Sequence, residues 1–151
     1  MADERNLIYL VHRDSDVLLS LYDVLSAAGF QVAASSNALD ALGYIARTKP
    51  RAALCHWEMQ ELEGAEFIDR VRNASPATRI IMSSRHADAS MYEDVLRRGG
   101  DDVLREPFYP LAVVHVVSRM LGFSVPYAAS EKAESYSVDS NGDEAGEGRG
   151  A

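Results

Sequence analysis

Apolar and amphipathic stretches alternate along most of the chain. Between the apolar runs, apolar residues recur three or four positions apart, which predicts amphipathic helices. The runs themselves have the composition of strands that are buried on both faces of a sheet. We predict strands over 7–11, 31–34, 52–56, 79–83 and 103–104. Five strands alternating with five helices through short connections are typical of an α/β doubly wound parallel sheet, which binds ligands at the carboxyl ends of its strands.

Polar residues and glycines mark the ends of the predicted helices. Asp14, Asn37 and Asp88 stand where an N-cap side chain accepts free backbone N–H groups. Gly29 and Gly99 stand where a helix end favours glycine. These signals support the strand and helix boundaries given by the apolar pattern.

The character of the chain changes after Phe123. The segment 124–151 is rich in Ser, Gly, Ala and Glu, and it carries six acidic and two basic residues. Such a segment buries too little apolar surface to offset its ordering entropy. We therefore expect one folded domain over 1–123, followed by a disordered acidic tail or linker over 124–151.

Composition narrows the possible functions. The 151 residues are 47% hydrophobic and carry a net charge of −8, which disfavours nucleic-acid binding by this domain because phosphate contacts need clustered basic residues. Cys55 is the only cysteine, so no internal disulfide forms, and its apolar neighbours predict a buried core residue. The sequence shows neither a transmembrane run nor a hydrophobic signal region, so we expect a cytoplasmic protein without membrane contact.

Three parts of the chain resemble the receiver domain of bacterial two-component response regulators. They read LVHRDSDV at 10–17 with AAGFQV at 27–32, LCH at 54–56 with EG at 63–64, and GGDDVLREPF at 99–108. The resemblance covers roughly residues 6–122. It implies a flavodoxin-like fold with strand order 2-1-3-4-5 and five helices. It also implies that one pocket is surrounded by His12, Arg13, His56, Ser84 and Glu106.

The resemblance fails at the residues that carry the chemistry. In the family, two acids after strand one and an aspartate ending strand three hold magnesium, and that aspartate accepts phosphate from a histidine kinase. A Thr/Ser hydroxyl and a lysine then contact the phosphoryl group. In this sequence the acid-pair positions are His12 and Arg13, the phosphoacceptor position is His56, the hydroxyl is Ser84, the lysine position is Glu106 and the aromatic switch position is Val103.

These substitutions predict a degenerate receiver domain that signals without phosphorylation, through protein contacts, and is not an enzyme. Magnesium needs oxygen ligands, which two imidazoles and a guanidinium do not supply. We expect no cofactor and no metal, and we disfavour phosphorylation of His56 itself because no metal site balances the phosphate charge. The signs in the pocket are exchanged, so Arg13 is expected to pair with Glu106, with His56 beside them. The alternative is that these groups are solvated and have drifted.

Other functions remain open at this point. His12, His56 and Glu106 have the ligand types of a zinc or other transition-metal site, although Arg13 opposes a cation. A small anion at Arg13 and Ser84 would also make the domain a sensor. A flavodoxin-like cofactor protein is disfavoured, because no phosphate-binding loop rich in Ser, Thr or Gly follows strand one.

The last helix, predicted over 111–121, has more apolar residues than one face requires. A second stripe of Val113, Val116 and Met120 suggests a homodimer across helix four, strand five and helix five, as the family often uses. The alternative is a helix that is packed more deeply than usual. Trp57, with Met59, is a second possible contact point at the pocket mouth. The expected partner is a signalling protein or the protein's own output domain.

Overall fold

The computed structural model describes residues 6–123 and contains one five-stranded parallel sheet with strand order β2-β1-β3-β4-β5. The strands and helices alternate as the sequence predicts, which confirms the doubly wound, flavodoxin-like fold. The strands are β1 Leu7–Val11, β2 Gln31–Ser35, β3 Ala52–His56, β4 Arg79–Ser84 and β5 Asp102–Arg105. The helices are α1 Ser15–Ala27, α2 Ala38–Thr48, α3 Gly64–Ala74, α4 Ala89–Arg97 and α5 Pro110–Leu121. The predicted tail or linker over 124–151 lies outside the described residues.

The core has two halves, one on each face of the sheet. Side chains alternate across the strands, so Tyr9 and Val11 face α2, α3 and α4, whereas Ile8 and Leu10 face α1 and α5. Both faces are therefore covered, which explains why all five residues of β1 and all five of β3 are buried. No helix among residues 6–123 has the length and apolar character needed to cross a membrane.

The predicted caps form at three helix starts. Side-chain oxygens of Asp14, Asn37 and Asp88 accept backbone N–H groups in the first turns of α1, α2 and α4. Glu61 adds a contact that the sequence did not reveal, because its carboxylate accepts the backbone N–H of Ala38 at 2.9 Å. The loop after β3 is thereby tied to the start of α2.

The predicted interface residues of α5 belong largely to the core. Val113 is fully buried against the sheet, so its prediction as a contact residue is wrong. Val116 and Met120 are half-buried and pack against the same core, which supports the deeper packing of the helix. α5 lies beside α1 on the sheet, and this neighbour covers the second apolar stripe.

Trp57 and Met59 also pack inward. Met59 is buried, so it offers no contact point at the pocket mouth. The half-buried Trp57 ring lies over the start of α3, where a Cβ on Gly64 would collide with the ring. Any other residue at position 64 would therefore require the ring to move. The β3–α3 loop, which borders the site, is therefore anchored by an aromatic side chain.

Arg72 ties three segments at the amino end of the sheet. Its guanidinium donates to the carbonyl oxygens of Pro76 at 2.6 Å, Thr78 at 2.8 Å and Gly99 at 2.6 Å. It also lies 3.4 Å from a carboxylate oxygen of Asp101. One side chain thus connects the loop before β4 with the loop before β5.

We expect Arg72→Met to lower the free energy of unfolding by about 1–3 kcal/mol, because three carbonyl groups lose their donor. Arg70→Met is the matched control on the same helix. Arg70 makes only an exposed ion pair with Glu66, so its loss costs about 0.3–0.5 kcal/mol. Urea denaturation of both variants measures the difference, and equal effects would contradict the bracing role of Arg72.

Candidate functional site

The candidate site lies at the carboxyl ends of four neighbouring strands. His12 directly follows β1, His56 ends β3, Ser83 and Ser84 end β4, and Glu106 directly follows β5. Parallel strands present these positions at one edge of the sheet. A cleft of about 580 Å³ opens above them and includes His12, His56 and Glu106 in its lining. The structure therefore places these three residues together, as the resemblance implies.

A single carboxylate oxygen is the centre of the site. Oε2 of Glu106 accepts from the Ser83 hydroxyl at 2.7 Å, and it lies 2.8 Å from His56 Nδ1 and 3.1 Å from His12 Nε2. The Glu106 side chain is only 10% exposed. The three donors thus replace the hydrogen bonds to water that the carboxylate loses on burial.

Backbone geometry determines where the protons lie on the two imidazoles. The N–H of Asp14 donates to His12 Nδ1 at 3.0 Å, so Nδ1 carries the lone pair and the proton sits on Nε2, which donates to Glu106. His56 donates through Nδ1 to the same oxygen. The two rings lie 4.2 Å apart between centroids and tilt by 33°. His12 therefore donates to Glu106 through Nε2.

The hydrogen bonds keep Glu106 ionised. Burial by itself raises the pKa of Glu106, since it penalises the charged form. Hydrogen bonds from His12, His56 and Ser83 favour the carboxylate and outweigh the burial, so they hold the pKa of Glu106 well below its usual range. The position therefore carries a negative charge that is neutralised by neighbouring donors.

Glu58 is a second carboxylate of the site, and sequence reasoning missed it. Its Oε2 accepts from the Ser84 hydroxyl at 2.7 Å, and its Oε1 lies 3.4 Å from His56 Nε2. Ser84 Oγ in turn accepts the backbone N–H of His86 at 2.9 Å. Glu58 therefore connects the end of β3 with the end of β4 and the start of the β4–α4 loop.

Ser83 was also missed, although a signal for it exists. His56 and Ser83 are register partners in β3 and β4, so their side chains point to the same side of the sheet. Once the strand order is known, the pairing of these two strands identifies Ser83 as a neighbour of His56. Glu58 has no such signal, since its position depends on the loop that follows β3.

The predicted pair between Arg13 and Glu106 is wrong. Arg13 is exposed, and its guanidinium donates to the backbone oxygen of Glu58 at 3.4 Å. Glu106 contacts ring nitrogens of both imidazoles, so His12 and His56 already satisfy its charge. A long, solvated arginine gains little by losing its hydration to reach a buried oxygen.

Ser84 and Val103 do not line the main cleft. Ser84 is fully buried, and it belongs to a neighbouring cleft that Trp57 and Met91 also line. Because Glu58 takes the Ser84 hydroxyl, the predicted anion site between Arg13 and Ser84 does not form. Val103 packs against the core beside α4. Of the family positions, His12, His56 and Glu106 therefore make up the contacting set.

The donor set of this trio matches a metal site only in composition. Ligand atoms of His12, His56 and Glu106 all lie within 4.8 Å of one another. A histidine that binds a metal through Nε2 carries its proton on Nδ1. For His12 this arrangement would point an N–H at the N–H of Asp14, which donates to the same atom. The trio therefore fits an internal hydrogen-bond cluster better than a metal site.

Comparison with known proteins agrees with this architecture. The chemotaxis protein CheY of Thermotoga maritima is 25% identical over 103 residues, covering 68% of this chain and 86% of that protein. The DNA-binding transcriptional regulator NtrC of Escherichia coli is 23% identical over 118 residues, covering 78% of this chain but only 25% of NtrC. The crystal structure of a CheY-like receiver domain protein from Methanospirillum hungatei matches with a TM-score of 0.73 at 22% identity, covering 78% of this chain and 94% of the other.

The family model of the response regulator receiver domain matches residues 8–118. That span includes β2 to β5, all of β1 except Leu7, and every residue of the hydrogen-bond cluster around Glu106. The chain therefore belongs to the response regulator receiver domain family of two-component signalling.

Proposed function

We propose that this receiver domain works without phosphorylation and signals through protein contacts in the cytoplasm, with no enzymatic activity of its own. The observation that carries the proposal is the Glu106 carboxylate, which accepts hydrogen bonds from His12, His56 and Ser83. A pocket whose charges are satisfied internally has no need of an added ion. Its geometry is set by the chain itself.

The residues at this edge of the sheet do not suit the magnesium ion that the family uses. Magnesium requires oxygen ligands in near-octahedral geometry. The positions that would supply them are His12, Arg13 and His56, and the Glu106 carboxylate is already committed to three donors. Without a divalent cation, transfer of a phosphoryl group into the pocket lacks its main source of charge neutralisation.

Glu58 takes over a contact that the resemblance assigns to the phosphoryl group. The retained hydroxyl, Ser84, donates to the Glu58 carboxylate at 2.7 Å. The anion that orders the end of β4 is thus a side chain that is always present. We propose that this contact, with the cluster around Glu106, holds the domain in one conformation, because the same loop leads into α4.

Exposed apolar residues near α4 are the proposed contact surface in place of the buried Val113. Tyr92 and Leu96 on α4 are 43% and 42% exposed, and Tyr109 before α5 is 41% exposed. Tyrosine is enriched at the centres of protein interfaces. The partner is a signalling protein or an output domain, and a second copy of the chain is the alternative occupant of this surface.

We predict that acetyl phosphate and magnesium change neither the mass nor the NMR spectrum of the protein. Intact-mass spectrometry should show no phosphoryl adduct, and heteronuclear NMR should show no shifts around His56, because the acceptor position is His56 and the family's acidic pair is replaced by His12 and Arg13. A receiver domain with aspartate at the end of β3 serves as the positive control. A stable adduct, or shifts that spread to α4, would contradict phosphorylation independence.

A second prediction concerns Glu58. We expect Glu58→Ala to lower the free energy of unfolding by about 1–2 kcal/mol, because the buried Ser84 hydroxyl loses its acceptor. NMR shifts should appear at Ser84, at His86 and in the first turn of α4. Glu63→Ala, at an exposed glutamate of the same loop, is the matched control and should move neither region. Shifts confined to residue 58 would show that this carboxylate orders nothing beyond itself.

The depressed pKa of Glu106 predicts a pH-dependent stability. A carboxyl whose pKa is lower in the folded state stabilises the fold above its unfolded pKa of about 4.3, and this contribution is lost as the pH falls below that value. In urea denaturation at pH 7, the free energy of unfolding of Glu106→Gln should therefore be about 1.5–3 kcal/mol lower than that of the unmodified protein. This difference in the free energy of unfolding should decrease steadily as the pH falls. The control Glu63→Gln should be as stable as the unmodified protein at every pH. A difference that is independent of pH would contradict the charged state of Glu106.

A further inference from the structure

The face opposite the candidate site, at the amino ends of the strands, carries more basic than acidic residues. Helices in this fold run back toward that end of the sheet, so their C-terminal residues lie there. Helices α2 to α5 each carry one or two basic residues at that end, namely Arg47 and Lys49, Arg72, Arg97 and Arg98, and Arg119. We call this surface, together with the strand starts beside it, the amino-end face.

Two more arginines lie at the starts of central strands. Arg51 precedes β3, and Arg79 is the first residue of β4. The amino-end face thus holds eight of the twelve basic residues found between positions 6 and 123. The acidic residues at the same helix ends and strand starts are Asp23, Asp69, Asp94, Asp101 and Asp102. The face therefore carries an excess of three positive charges, although the described part of the chain is acidic overall.

Helix dipoles account for only part of this arrangement. A helix C-terminus favours a nearby cation, and Lys49 donates to the carbonyl oxygens of Ala46 and Ala74 at that end. Arg51 and Arg79 stand at strands, whose dipoles are small. Arg97 is 69% exposed and pairs with Asp94 at 3.2 Å, and Arg79 pairs with Asp101 at 3.2 Å. Because the acidic residues at this end are fewer than the basic ones, these ion pairs leave the face with a net positive charge.

The described chain ends at this same face. The ring of Phe123 packs edge-on against Phe30 with centroids 5.6 Å apart, and the Arg51 guanidinium lies 5.5 Å from the Phe123 ring. Arg51 also donates to the carbonyl oxygen of Leu121 at 3.2 Å. The next 28 residues, 124–151, thus begin beside the basic surface, and their six acidic and two basic residues give them a net charge of −4.

We propose that the acidic segment 124–151 binds the amino-end face of its own domain. The two charges are opposite in sign, and the tether gives the segment an effective concentration in the millimolar range. A contact of this kind is weak and fades with salt, since charges at a protein surface are screened over about 10 Å at 0.1 M and about 3 Å at 1 M ionic strength. The surface is distinct from the site around His56, so it adds a second place at which the domain contacts protein.

A paramagnetic label tests the proposal in the full chain. Ser140→Cys places a thiol in the acidic segment for a nitroxide label. Cys55 is spared, because it is fully buried and burial raises the pKa of its thiol well above the ordinary value. We expect the label to broaden the backbone amide signals of Lys49 and Arg98 at the amino-end face. The amides of Glu58 and Arg85, at the other end of the sheet, should keep their intensity.

Two matched variants separate charge from tethering. In the first, the six acidic residues of 124–151 become the corresponding amides, and the Arg98 signal should then recover, as it should in 1 M salt. In the second, Arg97→Gln with Arg119→Gln should also restore that signal, whereas Arg85→Gln at the opposite end should not. Amides next to Phe123 are broadened in every case, because the label is tethered there.

Three outcomes would overturn the proposal. One is equal broadening at both ends of the sheet, and another is broadening that neither salt nor the amide variant reduces. The third is an unbroadened Arg98 signal in a protein whose amino-end amides shift when an oligoglutamate peptide is added. That result would assign the basic face to an acidic segment of a partner instead of to the chain's own residues.

Discussion

The carboxyl end of the sheet depends on one buried oxygen atom. Oε2 of Glu106 joins His12 after β1, His56 at the end of β3 and Ser83 in β4, while Glu106 itself follows β5. Four strands are thereby tied at a point where backbone pairing ends. A buried carboxylate without its hydrogen-bond donors costs folding free energy. The loss of any one of the three donors therefore weakens the whole cluster. The substitutions at these positions consequently make sense only as a set.

Taken together, the substitutions exchange the positions of the acidic and basic side chains at the ends of the same strands. The resemblance places an acid at the end of β3 and a lysine after β5, and this chain has an imidazole and a carboxylate there instead. The Asp14 backbone N–H holds the His12 proton on Nε2, so His12 donates to Glu106. His56 lies between two carboxylates, with Nδ1 2.8 Å from Glu106 and Nε2 3.4 Å from Glu58.

The fold was predictable because its information is local and repetitive. The apolar runs, the caps at Asp14, Asn37 and Asp88, and the motif at 99–108 all specify elements within a few residues of themselves. The partners in the site were less predictable, because side-chain length and burial decide between candidates. Arg13 and His12 are adjacent in sequence, yet only His12 contacts Glu106, whereas Arg13 donates to the backbone oxygen of Glu58. Val113 shows the same limit, since apolar spacing alone does not distinguish an exposed stripe from one that α1 covers.

The tryptophan beside the site gives the molecule a natural optical reporter. Trp57 is the only tryptophan in the chain, and it directly follows His56. Its ring lies against Gly64 at the start of α3, and its backbone N–H donates to the carbonyl oxygen of Ser83 at 2.7 Å. Any rearrangement of the β3–α3 loop therefore changes the polarity around a single indole. Its fluorescence emission reports on this corner of the sheet without any engineered dye.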